Sequence, residues 1–380
     1  MIIVKESCPK FYKDIKIKLI NNKQNSDNMI EGIKTYGSES IIDEITDKDP
    51  VFVLTIGTTD TSLIPGISGA GASPEMTLYT PASDAEYLVL NEVLCCDATA
   101  EIIIDGAVGQ TPGKLTKAAI ELADIPVVVA NAGSKIKPNI ECNTLSLEHG
   151  LDIRTGKAIR NPLEIYENAK LLGEQLSIHD YLVIGESVAA GTTTAYGVLK
   201  ALGYDADNKV SGSMPVNPHE LKIEVVKEGL ENAGNTPGEC NCMEALSAVG
   251  DPTTAAMAGI VMGSNVPIIL AGGTQMAATC AVIKDIDPDF DFTRLNVATT
   301  KFVVNDESSN LINLMEQIDP RITVHAVDPE FEKSDLGGLH LYLKGFTKEG
   351  VGAGGSMFTA LVKGYSVEEL RKKIEEVCSS

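Results

Sequence analysis

After Asp49-Pro50 the chain settles into short apolar runs separated by Gly, Asp or Asn, at 51–56, 101–104, 126–130, 181–184, 267–271, 302–304 and 322–327. Each run is brief and rich in β-branched residues, which predicts buried strands. Between them, apolar positions recur at helical spacing over 114–123, 163–176, 192–202, 219–233 and 309–317. Strand–helix alternation of this kind predicts an α/β fold: three layers, a mostly parallel sheet with helices on both faces, plus a small helical lobe. Ligands of such sheets sit beyond the carboxyl ends of the strands, so functional residues belong just after them.

The same pattern divides the chain. Residues 1–50 read as an N-terminal helical lobe interrupted by a polar stretch at 21–28. Residues 51–330 read as the parallel-sheet core domain. Residues 331–380 read as a Gly-rich loop and C-terminal helices that return to the small lobe. One segment, 252–283, carries no charged residue and is long enough to raise the question of a membrane helix. Gly263-Ser264-Asn265, Pro267 and Gly272-Gly273 break it, so it reads as helix, short buried strand, turn and helix. Ala255, Ala256, Ala258 and Gly259 suit close helix packing inside the protein.

Composition narrows the function classes. With 380 residues, of which 43% are hydrophobic, the chain can bury a sizeable core. Its net charge of −22 repels nucleic-acid phosphates and anionic membranes, and no basic stripe offsets it. An anionic substrate therefore needs a local positive site. The Cys spacing, including Cys95-Cys96 and Cys240-Asn241-Cys242, matches neither a disulfide framework nor a zinc site. Reduced thiols in a cytoplasmic protein are expected, and the N-terminal residues lack the long apolar stretch of a signal peptide.

Four segments carry candidate chemistry. Gly185 to Thr194, with Glu186, Gly191, Thr192 and Thr193, follows a strand and opens a helix. Free N–H groups and the helix dipole favour an anion there; a plain turn with a Thr cap is the structural alternative. Val108-Gly109-Gln110-Thr111-Pro112-Gly113-Lys114-Leu115 misses the phosphate-loop spacing and reads as a turn before a helix. The acidic run 285–291 lacks the Gly and Glu of a calcium loop and reads as a solvated turn. Lys348-Glu349-Gly350-Val351-Gly352-Ala353-Gly354-Gly355 lets backbone approach a flat ligand, with Glu349 as a candidate base or a solvated surface residue.

Together these segments resemble the nicotinate-nucleotide:dimethylbenzimidazole phosphoribosyltransferase family over residues 150–365. The family's Gly-Glu-Met-Gly-Ile-Gly-Asn-Thr-Thr loop is similar to Gly185–Thr194, and its Glu-Gly-Thr-Gly-Ala to Glu349-Gly350-Val351-Gly352-Ala353. Its Gly-Arg-Gly-Thr-Gly segment and following Lys resemble Ser211-Gly212-Ser213 and Lys222. Its Gly-Gly-x-Glu-Ile is replaced by Gly250-Asp251-Pro252-Thr253-Thr254, and its Gly-Asp-His-Gly by Gly57-Thr58-Thr59-Asp60, which marks a divergent branch.

The resemblance implies transfer of ribose 5-phosphate from nicotinate mononucleotide to a benzimidazole-type base, giving an α-ribazole phosphate for cobamide assembly. It implies Glu349 as the catalytic base, with Gly185, Glu186, Gly191, Thr192, Thr193 and Lys222 holding the phosphate. Gly212, Ser213, Gly350, Gly352 and Ala353 would form the substrate loops, and Ser68 and Met76 walls of the acceptor-base pocket. It implies a homodimer and no metal or cofactor. Two other readings remain open at this point: a nucleotide-binding sensor or partner subunit without turnover, and an ATP-using enzyme that depends on Mg²⁺.

Overall fold

The computed structural model describes residues 30–71, 73–96, 103–104 and 107–379. Its main sheet contains β1 (Ile33–Tyr36), β2 (Pro50–Ile56), β5 (Val127–Asn131), β6 (Asn143–Thr144), β7 (Tyr181–Ser187), β8 (Ile268–Ala271), β9 (Leu295–Thr300) and β10 (Thr323–Val327). The strand order is β1-β10-β9-β8-β7-β2-β5-β6. All neighbours are parallel except β1, which runs antiparallel to β10 at the edge. β3 (Ile103–Ile104) and β4 (Ala107–Val108) form a separate antiparallel ribbon.

The strand period of two sorts side chains to opposite faces. Val51, Val53, Leu182, Ile184, Ile268 and Leu270 point to one side. There they meet α4 (Pro162–Leu176), α5 (Gly191–Ala201), α6 (His219–Ala233), α7 (Cys242–Val249), α8 (Pro252–Gly263), α9 (Gln275–Ile286) and α11 (Leu311–Ile318). Phe52, Leu54, Ile56, Val183 and Ile269 point to the other. That side is covered by α1 (Ser40–Ile45), α2 (Thr80–Leu90), α3 (Pro112–Ala123), α12 (Gly337–Leu343), α13 (Ala353–Val362) and α14 (Val367–Ser379). Each such side chain, once fully buried, contributes about 1.5–3 kcal/mol of hydrophobic stabilisation. Three layers and a mostly parallel sheet are thus observed.

Strand order explains where a ligand can enter. From β2 the chain moves outward through β5 and β6, then returns to β7 on the other flank of β2 and continues through β8, β9 and β10. The direction of winding therefore reverses between β2 and β7. Loops leaving these two strands part in opposite directions and leave a crevice at their carboxyl ends.

Several local expectations need correction. Residues 302–304 belong to a short helix, α10 (Lys301–Val304), and the strand precedes them at Leu295–Thr300. A short run of Phe and Val does not distinguish the two states. The true strand was hidden by its buried polar residues, such as Asn296, whose Oδ1 lies 2.9 Å from His325 Nε2. Residues 103–104 lie in the side ribbon rather than the main sheet. The described part of the N-terminal segment is not purely helical, because Ile33-Lys34-Thr35-Tyr36 alternates apolar and polar and forms the edge strand; the polar stretch at 21–28 lies outside the described residues. Residues 252–283 do form helix, strand, turn and helix, and Gly259 packs against Tyr166 and Ala169 of α4. Among the described residues no helix is long and apolar enough to cross a membrane.

Candidate functional site

The crevice between β2 and β7 is a cleft of about 840 Å³, its open mouth included. Its floor is the segment from Glu186 to Thr192 that leaves β7 and enters α5. Ala190, in left-handed backbone, caps α5 without a side-chain hydrogen bond. The N–H groups of Gly191 and Thr192 meet no protein acceptor among the described residues, while those of Thr193 and Thr194 bond the Ala190 carbonyl. Free N–H groups at the positive end of a helix dipole form an anion site.

The opposite wall is the segment from Thr347 to Val351. Thr347, Lys348 and Val351 have φ of 66°, 45° and 55°, a conformation that costs each residue free energy. Tertiary hydrogen bonds hold it there. Thr347 N donates to the Ser213 carbonyl and Val351 N to the Glu186 carbonyl. The carbonyls of Lys348 and Val351 accept from Thr300 Oγ1 and Thr116 Oγ1. Gly352 passes so near Gly185 that a Cβ on Gly185 would lie 2.9 Å from the Gly352 Cα. Only a pair of glycines lets this loop rest on the end of β7.

Glu349 stands at the centre of that wall. Its Oε1 accepts from the N–H of Gly350 and Gly354, both at 3.1 Å, and its Oε2 from Gly354 N and Thr300 N at 3.1 Å and Thr299 Oγ1 at 3.4 Å. Burial pushes its carboxyl up to about 7, against the downward pull of those donors. Glu186 faces the same cleft and is pushed up to about 8 by burial, then by Asp251 and Glu349. Asp84, on α2, is a third buried carboxyl of the cleft, raised to about 6 by burial and held down in part by a 2.6 Å hydrogen bond from Ser187 Oγ. Carboxyls shifted by burial and gathered in one cleft make it the candidate chemical site.

The expected site residues divide. Glu349, Glu186, Gly191, Thr192, Gly212, Ser213, Gly350 and Ser68 line the cleft. Gly185, Gly352 and Ala353 sit behind the lining, where they set the backbone. Thr193 is buried and its Oγ1 has no partner among the described residues; Thr194 Oγ1 donates to Asp251 Oδ2 at 2.5 Å. Met76 lines an adjoining chamber that meets the cleft at Ala70, Thr80, Asp84 and Thr111.

Lys222 is not brought to the cleft. Its Nζ is buried, donating to the Ser211 carbonyl at 2.6 Å and Asn217 Oδ1 at 3.0 Å. Burial lowers it to about 7, with Lys348 adding to the effect. It anchors the segment that presents Gly212 and Ser213.

The cation that lines the cleft is Lys348, whose Nζ lies 2.8 Å from Asp306 Oδ2. Lys348 and Asp84 were missed in the sequence. The signal for Asp84 was an acid placed among the apolar residues of α2. The near-miss phosphate loop does open α3 as expected, yet Thr111 and Pro112 also reach the cleft. The acidic run 285–291 is not all turn: Asp285 and Ile286 end α9, and the turn lies at 288–289; among the described residues no group of acids, His and Cys could hold a metal ion.

Relatives place the chain. It is 51% identical over 355 residues to a UPF0284 protein of Methanothermobacter thermautotrophicus, covering 93% of this chain and 99% of the relative. The chain belongs to the UPF0284 family. A member from Pyrococcus furiosus is 43% identical over 331 residues, covering 86% of this chain and 97% of its own length. The family model described as phosphoribosyltransferase matches residues 113–291. A solved nicotinate-nucleotide-dimethylbenzimidazole phosphoribosyltransferase from Thermus thermophilus shares the fold, with a TM-score of 0.54 at 17% identity over 87% of this chain and 83% of that one. A second structure, of CobT from the same organism, gives 0.54 at 16% identity over 87% and 84%. The UPF0284 family is thus a divergent branch of that fold, as the motifs implied.

Two expectations concern this site's framework. Glu186, raised to about 8 from an ordinary 4.5, keeps its proton in the folded chain where the unfolded chain has lost it. Folding is therefore progressively disfavoured as pH rises from 4.5 toward 8. His325, lowered to about 4 by burial, and Lys222, lowered to about 7, pull the wild-type curve the other way. The difference between variant and wild type isolates the carboxyl: Glu186→Gln gains stability relative to wild type across that window in urea titrations. A pH-independent difference would place the proton elsewhere. Separately, a Cβ on Gly354 would run into the Thr299 backbone and crowd Glu349 Oε2. Gly354→Ala is expected to cost about 1–3 kcal/mol, read as a lower urea midpoint.

Proposed function

We propose that this protein is a phosphoribosyltransferase that moves ribose 5-phosphate from nicotinate mononucleotide to a benzimidazole-type base, yielding an α-ribazole phosphate for cobamide assembly. The observation that carries the reading is the opposition of an uncapped helix N-terminus and the buried Glu349 carboxyl across one cleft. The first suits an anionic phosphate; the second suits a substrate that is cationic in its pyridinium ring and in its transition state.

The N–H groups of Gly191 and Thr192 hold the phosphate, and so place ribose C1 toward Glu349. As the bond to nicotinate breaks, its electron pair returns to the pyridine nitrogen, so departure needs no acid. Positive charge builds on C1 and the ring oxygen. Glu349, fixed by backbone donors on both oxygens, is already oriented to stabilise that charge without rearrangement. Glu186, joined to Gln275 at 3.3 Å and to Val188 N at 3.0 Å, supports the floor beneath it. A homodimer and a place in the cytoplasm are part of the same proposal.

The test is direct. Purified protein is incubated with nicotinate mononucleotide and a panel of benzimidazoles, purines and phenols, and nicotinate and ribosylated base are followed by mass spectrometry. Equimolar nicotinate and ribosylated base are expected. Tight mononucleotide binding with no product from any acceptor would replace the transferase with a sensor or partner subunit.

A further inference from the structure

The cleft that holds the donor does not end at Glu349. A second chamber, lined by Met76, Tyr79, Ser83, Val108, Gln110 and Lys114, adjoins it. Among the described residues the two chambers share Ala70, Thr80, Asp84 and Thr111. With the donor in the first chamber and the acceptor in the second, the new bond forms beside these residues. Asp84 is the titratable one of the four.

Glu349 is poorly placed to take a proton there, because both its oxygens already accept from the donors of Thr299, Thr300, Gly350 and Gly354. Asp84 differs. Its Oδ2 accepts from Ser187 Oγ at 2.6 Å, while Oδ1 has no donor among the described residues. A Cβ built on Gly113 would lie 3.4 Å from that Oδ1, so the free oxygen faces the first turn of α3, whose dipole favours a carboxylate. Asp84 is itself 91% buried, by its 9% exposure.

We propose that Asp84 accepts the ring N–H proton of an azole acceptor bound in the second chamber. This rests on the transferase reading above. One azole nitrogen gives its lone pair to ribose C1; the C1–nicotinate bond breaks and its electron pair stays on the nicotinate nitrogen. The proton of the second azole nitrogen passes to Asp84 Oδ1, leaving a neutral ribosylated azole and a neutral carboxylic acid. Charge and atoms balance without a further reactant. Acceptors with a ring N–H are therefore the substrate class. The proton division assigns Glu349 to the charge at C1 and Asp84 to the proton of the base.

Among the described residues, the charged and titratable groups around Asp84 are Glu186 from β7, Glu349 and Lys348 from the facing loop, Lys114 from α3, and Tyr79, Cys96 and Cys378 in the second chamber. Glu186, raised to about 8, stays protonated through the acid range, so the acid limb belongs to Asp84 and Glu349, raised to about 6 and 7.

The experiment measures kcat/KM for benzimidazole against pH in wild type, Asp84→Asn and Ser187→Ala, with nicotinate mononucleotide binding measured in each. Below pH 6 the wild type should lose one more proton's worth of slope than Asp84→Asn, because ionisation of the substrates is common to both. Asp84→Asn should fall about 100-fold at neutral pH, a typical cost of losing a positioned base, with mononucleotide affinity kept within about twofold. Ser187→Ala removes the donor that holds Asp84 down, so its limb should move to higher pH, and this variant decides the matter if Asp84→Asn does not fold. An Asp84→Asn rate near wild type with the same slope, or an unmoved limb in Ser187→Ala, overturns the role of Asp84 and leaves the transferase intact. A wild type that binds mononucleotide but ribosylates no azole at any pH overturns both.

Discussion

Glu349→Gln lowers transfer from nicotinate mononucleotide by about 10²–10⁴-fold, the range for loss of a positioned charged or proton-transferring group. Gln keeps the size of Glu but removes its charge, so ribose C1 loses the anion that offsets its positive charge. The effect belongs to kcat, because the phosphate is held elsewhere, on the N–H groups of α5. Single-turnover nicotinate release, with mononucleotide affinity measured in parallel, checks the division. A loss confined to affinity would move Glu349 from chemistry to binding. The carboxyl is raised to about 7 by burial, so the wild-type rate should also decline on acidification through that value as the charge is lost.

Lys348→Ala destabilises the protein by about 3–5 kcal/mol, the cost of leaving a buried partner charge uncompensated. The side chains of Lys348 and Asp306 are 4% and 9% exposed, so water does not replace the lost ammonium. Lys348 Nζ also donates to the carbonyls of Gly212 and Met214, at 3.2 and 3.4 Å, and thereby ties the 211–214 segment to the Glu349 loop. That loop keeps three non-glycine residues in left-handed backbone, and loss of the tie frees it to relax. Urea unfolding measures the cost, and a second variant, Lys348→Met with Asp306→Leu, should recover much of it by replacing both charges with apolar groups. A Lys348→Ala midpoint within about 0.5 kcal/mol of wild type, the range of ordinary surface substitutions, would mean that Asp306 finds another partner.

Much of the sheet was legible because its strands are buried on both sides. Runs such as 51–56 and 181–184 have apolar residues at consecutive positions, and the helices between them bury one face and keep the 3.6-residue period. Strand β9 was not legible, because Asn296, Thr299 and Thr300 are buried polar residues with tertiary partners. Their cost of burial is offset by His325, Glu349 and the Lys348 carbonyl, none of them near in sequence. The edge strand at 33–36 was lost in an N-terminal segment read as helical, although its alternation was present.

The site divides in the same way. Glu349 and the loop after β7 stand out as a Gly-rich segment and a strand–turn–helix unit, and these are local patterns. Lys222 was placed at the phosphate by its position after a loop, whereas its ammonium turns inward to a backbone carbonyl. Which face of a partly apolar helix a lysine occupies depends on what packs there.

The sequence by itself determined the layered α/β architecture and the carboxyl-end location of the loops after the strands, since strand periodicity, helix periodicity and turn residues act over a few neighbouring positions. Only the tertiary structure decided that Asp84, Glu186 and Glu349 share one cleft, that Lys348 rather than Lys222 faces it, and that a second chamber adjoins it at Asp84. Those facts depend on which distant segments the winding reversal between β2 and β7 brings together, and on burial, which shifts the carboxyls and is a property of the packed molecule.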